Sequence, residues 1–207
     1  MLGSNLEDLQ RMAGIVQDML FLSQADRGAR ARRTAVTSLA ALAERVAGYC
    51  EAALAEAGLS VDVTGDAAGA FDMPLLARAL SNLLANAIRH ATPGTSVSVA
   101  IAVEAGGGVK IQVINLGEAI PPLALPRLFD RFYRADAARS HAARHHGLGL
   151  AIVAAIARMH GGTTLATSHS GTTAIGMMLP AQAPQERPLP SATGRATLPA
   201  HQETHDA

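Results

Sequence analysis

Nine residues, Asn82-Leu83-Leu84-Ala85-Asn86-Ala87-Ile88-Arg89-His90, constrain this chain more than any others. Asn82, Asn86, Arg89 and His90 stand at i, i+4, i+7 and i+8, which puts them on one face of a helix. Leu80, Leu83, Leu84, Ala87 and Ile88 fall on the other side, the face a domain core has to cover. Two carboxamides, a guanidinium and an imidazole on one stripe offer oxygen ligands and phosphate donors without a fixed negative charge. A solvated surface helix would carry Lys and Glu there, so the stripe suits a nucleotide with its Mg²⁺ better.

The rest of the chain sets bounds on that reading. Its 207 residues allow one good core and an accessory piece. Lys plus Arg and Asp plus Glu are 17 each, so the formal net charge is zero and nothing points to nucleic acid or to a polybasic membrane contact. The single cysteine, Cys50, has no internal disulfide partner, which makes a reducing cytoplasm the default. No apolar run reaches the ~20 residues that span a bilayer, and Met1 to Asn5 lacks the basic and apolar regions of a signal peptide. The chain as given reads as soluble and cytoplasmic.

Residues 2–25 read as a helix with Leu2, Leu6, Leu9, Ala13, Val16, Leu20 and Ser23 at the spacing of a two-helix seam, broadened by Met12 and Met19. Such a seam needs a partner helix. The alternative is a plain amphipathic helix packed on the domain that follows. Asp26-Arg27-Gly28 ends it, giving a first segment 1–28 and a basic, small-residue linker 29–36. The domain 37–180 then reads as a helix from Thr37 to Ala57, a strand from Leu59 to Val63, and the asparagine helix with Asp72 as N-cap and a Pro in its first turn. Strands follow at Val97–Val103 and Val109–Ile114 around a Gly106–Gly108 turn, then a short helix Leu123–Phe132 and a helix Leu150–Met159. Strands Thr163–Thr167 and Thr172–Leu179 close the domain. Asp62 and Asp66 read as surface charges. Residues 181–207, rich in Pro, Gln, Thr and His, read as a disordered tail. The order predicts an α+β fold, a two-layer α/β sandwich with one mixed sheet and helices on one face.

Three further segments carry chemistry. Asn115-Leu116-Gly117-Glu118-Ala119-Ile120 follows a strand; Gly117 permits close backbone approach and Asn115 can meet an adenine edge, although Asn-x-Gly on its own reads as an ordinary turn. His146-Gly147-Leu148-Gly149-Leu150 leads straight into a helix, whose first N–H groups make an anion site or, equally, a tight turn before a core helix. It lacks the Lys of a P-loop and the third Gly of a dinucleotide fingerprint. In between, Leu128, Phe129 and Phe132 form a hydrophobic clasp, while Arg131 and Arg134 can lean towards phosphate, or else be solvated.

Taken in order, an asparagine-box helix, a glycine turn after a strand, the run Leu125-Pro126-Arg127-Leu128-Phe129-Asp130-Arg131-Phe132-Tyr133-Arg134-Ala135-Asp136, Gly147-Leu148-Gly149-Leu150 and a closing Gly171-Thr172-Thr173 strand resemble the catalytic ATP-binding domain of bacterial sensor histidine kinases. That family shares its fold with gyrase, Hsp90 and MutL-type ATPases. The heavy-metal-responsive kinases look most similar, because their glycine turn also often has Asn-x-Gly. The resemblance covers about residues 2–180. It implies ATP and Mg²⁺ as cofactors, with Asn86 as the Mg²⁺ ligand, Asn82 orienting that site, and Arg89 and Arg134 on phosphate. His90 would lie beside the nucleotide, Asn115 would face the adenine amino group, and Gly117 would give the base room. Ile120, Leu148, Leu150, Thr172 and Thr173 fall in the cofactor-binding segments. Residues 134–146 would form a lid that Gly147 and Gly149 join to the following helix.

Two departures qualify the resemblance. The family usually has Asp at position 115, and a charged acceptor contributes about 1.5–3 kcal/mol against about 0.5–1.5 for a neutral one, so Asn115 implies weaker adenine binding; Ala119 also stands where a second glycine is usual. Residues 2–27 resemble only the second helix of the family's dimerisation hairpin, and no histidine sits in an acceptor context, so autophosphorylation in cis is not expected. The expected function is transfer of the ATP γ-phosphoryl group to a histidine on a partner hairpin, homodimeric in the family. A response regulator would act downstream, and full-length relatives are anchored in the inner membrane. The alternative is a nucleotide-binding and dimerisation module that pairs with an intact kinase. A hydrolytic ATPase is disfavoured, since Asn82 cannot accept the proton of an attacking water. His141, His145 and His146 read as incidental lid histidines rather than a metal site.

Overall fold

The computed structural model describes residues 2–134 and 146–182; in the first turns, side chains are described for Leu9 and from Met12 onward. The expected lid residues 135–145, with His141 and His145, and the tail from 183 lie outside the described residues.

The elements are α1 (Leu2–Asp26), β1 (Thr34–Val36), α2 (Ala40–Tyr49), α3 (Glu51–Glu56), β2 (Ser60–Thr64), β3 (Gly69–Phe71), α4 (Met73–His90), β4 (Ser96–Val103), β5 (Gly108–Leu116), α5 (Gly149–Met159), β6 (Thr163–His169) and β7 (Thr172–Pro180). Five strands form a mixed sheet in the order β2-β4-β5-β7-β6, with β2 and β4 parallel and the other pairs antiparallel. In the antiparallel register Val99 faces Val113, which faces Ile175, and Ile101 faces Ile111, which faces Met177. Because side chains alternate along a strand, these rows share one side, and all are buried. Leu76, Ala79, Leu80, Leu83, Leu84 and Ala87 of α4 and Ala151 to Val153 and Ala155 to Ala157 of α5 complete the same core. This is the expected two-layer sandwich.

Asp72 caps α4 as its position suggests: its Oδ1 accepts the Leu75 N–H at 3.2 Å, and Pro74 occupies the first turn, where no amide donor is missed. Four local readings change. The helix expected over 37–57 breaks at Cys50 into α2 and α3, after Gly48-Tyr49, both weak helix formers. The linker is part of the domain, since β1 pairs with β3 (Thr34 opposite Phe71), two three-residue strands too short for any periodicity. The helix expected over 123–132 is one 3₁₀ turn, Leu125–Arg127; the chain then doubles back, with Phe132 at φ +62° donating its N–H to the Gly147 carbonyl at 2.9 Å. Phe132 is therefore exposed, outside the clasp that buries Leu128. Asp66 is not an idle surface charge. Its Oδ1 accepts the N–H groups of Ala40, Leu39 and Ala67 at 2.8, 2.9 and 2.7 Å, capping α2 from a distance. The bond from Ala40 and the Ser38 hydroxyl hold its carboxyl below the ordinary range.

α1 has two apolar faces. Leu22 is buried, and Ile15, Phe21 and Ala25 pack on the domain core. Asp18 and Asp26 reach Arg78 at 2.6 Å and Arg131 at 2.5 Å. The other face keeps Leu9, Met12, Val16 and Leu20 more than half exposed. The helix thus packs on the following domain, as in the plainer expectation, while most of the seam faces outward. No described helix is long and apolar enough to cross a membrane.

Candidate functional site

A cavity of about 600 Å³ opens between α4, the ends of β5 and β7, the segments around 118–121 and 133–134, the start of α5, and α1. That is the size range of small-molecule sites. The polar stripe of α4 lines it with Asn82, Asn86, Arg89 and His90, as helical spacing required.

One end is built from the sheet. Asn115 and Thr173 lie opposite each other in the β5–β7 register and are both buried, at 4% exposure each. The Asn115 amide donates to the Leu116 carbonyl at 3.4 Å, a long bond that leaves its carboxamide well able to serve a ligand. The Thr173 hydroxyl is 3.0 Å from that of Ser168, and Ser168 Oγ accepts the Ile120 N–H at 2.9 Å, which fixes the segment carrying Ile120 at the cavity edge. Gly117 and Thr172 are not among the lining residues. Gly117 is glycine for a different reason: a Cβ there would stand 2.1 Å from the His90 carbonyl oxygen, where the chain crosses the end of α4 through the Ala91–Gly117 bridge. The absent side chain makes room for backbone.

The rest of the lining combines a helix start with cations. Gly147, Leu148, Gly149 and Leu150 line the cavity where α5 begins. Asn82 donates through Nδ2 to the Arg78 carbonyl at 2.9 Å, and a Cβ on Gly149 would stand 2.8 Å from Asn82 Oδ1. Asn82 thus lies against the first turn of α5. Arg134 lines the same wall as Arg89. Desolvation first, and then the positive charge of Arg134, hold the Arg89 guanidinium below its ordinary pKa. Two guanidinium groups in one lining suit an anionic ligand. Arg131 does not join them, because it pairs with Asp26 of α1.

The cavity has walls that the motifs did not announce. Ala85 completes the α4 stripe and could have been read from its i+3 position. Ile175 follows from the β7 alternation. Glu118, Ala119, Pro121, Leu128, Tyr133 and His146 belong to segments that carried a motif. Gly14, Ile15 and Asp18 come from α1. The only hint of them was the second three-four stripe, Ile15-Asp18-Leu22-Ala25, hidden behind the stronger seam. Among the described residues, no three His, Cys, Asp or Glu are grouped as a metal site.

A mixed sheet with helices on one face, and an asparagine helix that shares a cavity with Arg134 and a glycine-led helix start, define a nucleotide-binding type of module. Residues 71–183 match the family described as histidine kinase-, DNA gyrase B- and HSP90-like ATPase, and the chain belongs to that family. Among curated relatives, the sensor histidine kinase CusS of Escherichia coli O157:H7 is 42% identical over 178 residues, covering 86% of this chain and 37% of that protein. The sensor protein IrlS of Burkholderia pseudomallei strain K96243 is 40% identical over 160 residues, covering 77% of this chain and 34% of its own length. The chain thus spans little more than a third of these relatives. The fold is that of the Acinetobacter baumannii histidine kinase AdeS, with a TM-score of 0.73 at 21% identity, covering 87% of this chain and 83% of that one. Full-length ShkA in complex with AMPPNP gives 0.72 at 23% identity, covering 84% and 36%.

Proposed function

We propose that the chain binds Mg-ATP in this cavity as the catalytic domain of a two-component sensor histidine kinase and passes the γ-phosphoryl group to a histidine on a partner chain. The observation that carries the reading is one cavity lined both by a buried carboxamide and hydroxyl, Asn115 with Thr173, and by two guanidinium groups, Arg89 with Arg134. A flat base with donors and acceptors on its edge suits the first, and a polyanion suits the second.

The residues fit a magnesium ion only together with the nucleotide. Mg²⁺ takes oxygen ligands, keeps several waters, and is commonly held by one or two protein groups plus phosphate. Asn86 supplies one neutral carboxamide in the cavity wall. Bound there, the ion would neutralise phosphate charge. The chain's own contribution is positioning. Arg89 and Arg134 hold phosphate oxygens, the first amides of α5 face the same anion, and α1 and Leu128 help enclose it. Asn82 is engaged with Arg78 and lies against Gly149, and it has no carboxylate to activate water, which favours transfer over hydrolysis.

The test is calorimetry of the chain with ATP, with and without Mg²⁺, followed by mixing with a hairpin that carries an acceptor histidine. Heat that depends on magnesium and a phosphohistidine product support the reading. Binding without transfer leaves the second reading, a module that pairs with an intact kinase, for which the exposed Leu9-Met12-Val16-Leu20 face of α1 speaks. A response regulator and membrane anchoring belong to the proposal for the full-length kinase, as does a cytoplasmic place for this domain.

A further inference from the structure

His160 is buried at 1% exposure just past α5 and joins three segments that are far apart in sequence. Its Nδ1 lies 2.8 Å from the Ile156 carbonyl oxygen, which can only accept, so Nδ1 carries the proton. Its Nε2 must then be the bare nitrogen, and it receives the backbone N–H of Asp72 at 3.1 Å. Asp72 is the residue that caps α4. Its other carboxylate oxygen takes the N–H of Arg32 at 2.8 Å. The next linker residue, Arg33, donates to the carbonyls of Ala70 at 2.7 Å, His160 at 3.3 Å and Pro180. The ring thus ties the end of α5 to the start of α4, and Arg33 ties the linker to β3, the His160 carbonyl and the end of β7.

We propose that His160 is a positioning residue for α4 whose ring works only in its neutral form, and that a proton arriving at Nε2 releases the linker and the α4 cap together. A protonated Nε2 would point an N–H at the N–H of Asp72, and two donors cannot share a bond. The Asp72 carboxylate already accepts from Leu75 and Arg32, and any move it made towards the new donor would disturb the cap. The new charge would also face the Arg33 guanidinium. Desolvation already holds the His160 pKa below its ordinary value, against the Ile156 bond; Arg33 acts with desolvation and Asp72 opposes it. Arg33 and Asp72 are the charged groups facing the ring. Arg158 on its own helix turns to Asp26, and β7 has no charged residue.

The sign follows from linkage. A histidine whose folded pKa is depressed adds stability that is fully present above its unfolded value, about 6.5, and is lost as pH falls from there towards the folded value. In that window the nucleotide-free chain should lose about one proton's worth of stability per pH unit, roughly 3–5 °C of Tm. His160→Gln presents a donor to Ile156 and an acceptor to Asp72 and does not titrate, so its Tm should fall less steeply by that amount between pH 7 and pH 5.5. Equal slopes in the two proteins overturn the proposal. Should His160→Gln fail to fold, imidazole nitrogen NMR on the natural chain decides the matter. A proton on Nδ1 at pH 7.5, with the Asp72 amide resonance moving as the ring titrates below 6.5, supports it; a proton on Nε2 at pH 7.5 overturns it. Neither measurement uses nucleotide, so the outcome is independent of whether ATP binds.

Discussion

Asp18 Oδ1 lies 2.6 Å from Arg78 Nη2, and Arg78 stands one turn before Asn82 on the helix that lines the cavity. The pair fastens α1 to the wall of the site, aided by the Phe21 ring, which lies 4.2 Å from the Arg78 guanidinium carbon. It also leaves a carboxylate lining a cavity proposed for a triphosphate. Both side chains are about a third exposed, so water weakens the pair, and its net contribution is of the order of 0–1 kcal/mol. Asp18→Asn should therefore change Tm little while tightening Mg-ATP binding by about 2–5-fold through loss of repulsion. Calorimetry on the two proteins at equal ionic strength measures it, and weaker binding in the variant would show that α1 assists the nucleotide.

Arg89 and Arg134 give a second prediction. Desolvation first, and then the charge of Arg134, disfavour the charged Arg89 in the nucleotide-free chain. Replacing Arg89 by Ala should leave the Tm of the chain alone unchanged or slightly raised. It should weaken ATP by about 10–100-fold, the loss of a charge-assisted bond of about 1.5–3 kcal/mol. The salt dependence of binding should fall with it. A variant that melts earlier yet binds ATP normally would assign Arg89 to the fold instead.

Two glycines separate folding from binding. At Gly117 an added Cβ would meet a backbone oxygen, that of His90, at 2.1 Å. Backbone cannot step aside, so Gly117→Ala should cost about 1–3 kcal/mol and lower Tm by roughly 3–10 °C. At Gly149 the Cβ would meet the tip of the Asn82 side chain at 2.8 Å. That tip can swing, and Ala is a better helix former than Gly by about 1 kcal/mol. Gly149→Ala should keep its Tm within a few degrees and lose ATP affinity by about 10-fold or more, because the site helix and α5 no longer meet as built. Thermal melting with and without ATP separates the two outcomes.

What the sequence revealed follows the length and regularity of each signal. The α4 stripe, its Asp72 cap and the alternating cores of β4, β5 and β7 were readable because each repeats a period several times. Asn115 and Thr173 were placed by resemblance, and the register supplied what spacing could not, that they face each other. The missed parts depend on contacts between distant segments. β1 and β3 exist by pairing with each other, Asp66 caps a helix 26 residues upstream, and Arg131 pairs with Asp26 of α1. The sequence alone does not show that the chain itself, at the His90 carbonyl, comes close to Gly117. A glycine in sequence shows that something comes close, and only the fold shows what.

Asn115 meets two demands that pull apart. It is 4% exposed, and a carboxylate in its place would be costly to bury unless paired. A carboxylate would also accept the adenine amino proton more strongly, by about 1 kcal/mol on the difference between charged and neutral acceptors. Asn115→Asp should therefore melt earlier than the natural chain without nucleotide, most visibly above pH 6, where the acid is ionised. It should recover much of that loss in saturating ATP and bind ATP by about 5-fold more tightly. Asn115→Ala should also melt earlier and gain less from ATP than the natural chain. Melting curves of the three proteins at several ATP concentrations give both quantities at once. Equal nucleotide shifts in all three would place the base away from Asn115, and with it the orientation proposed for the whole cavity.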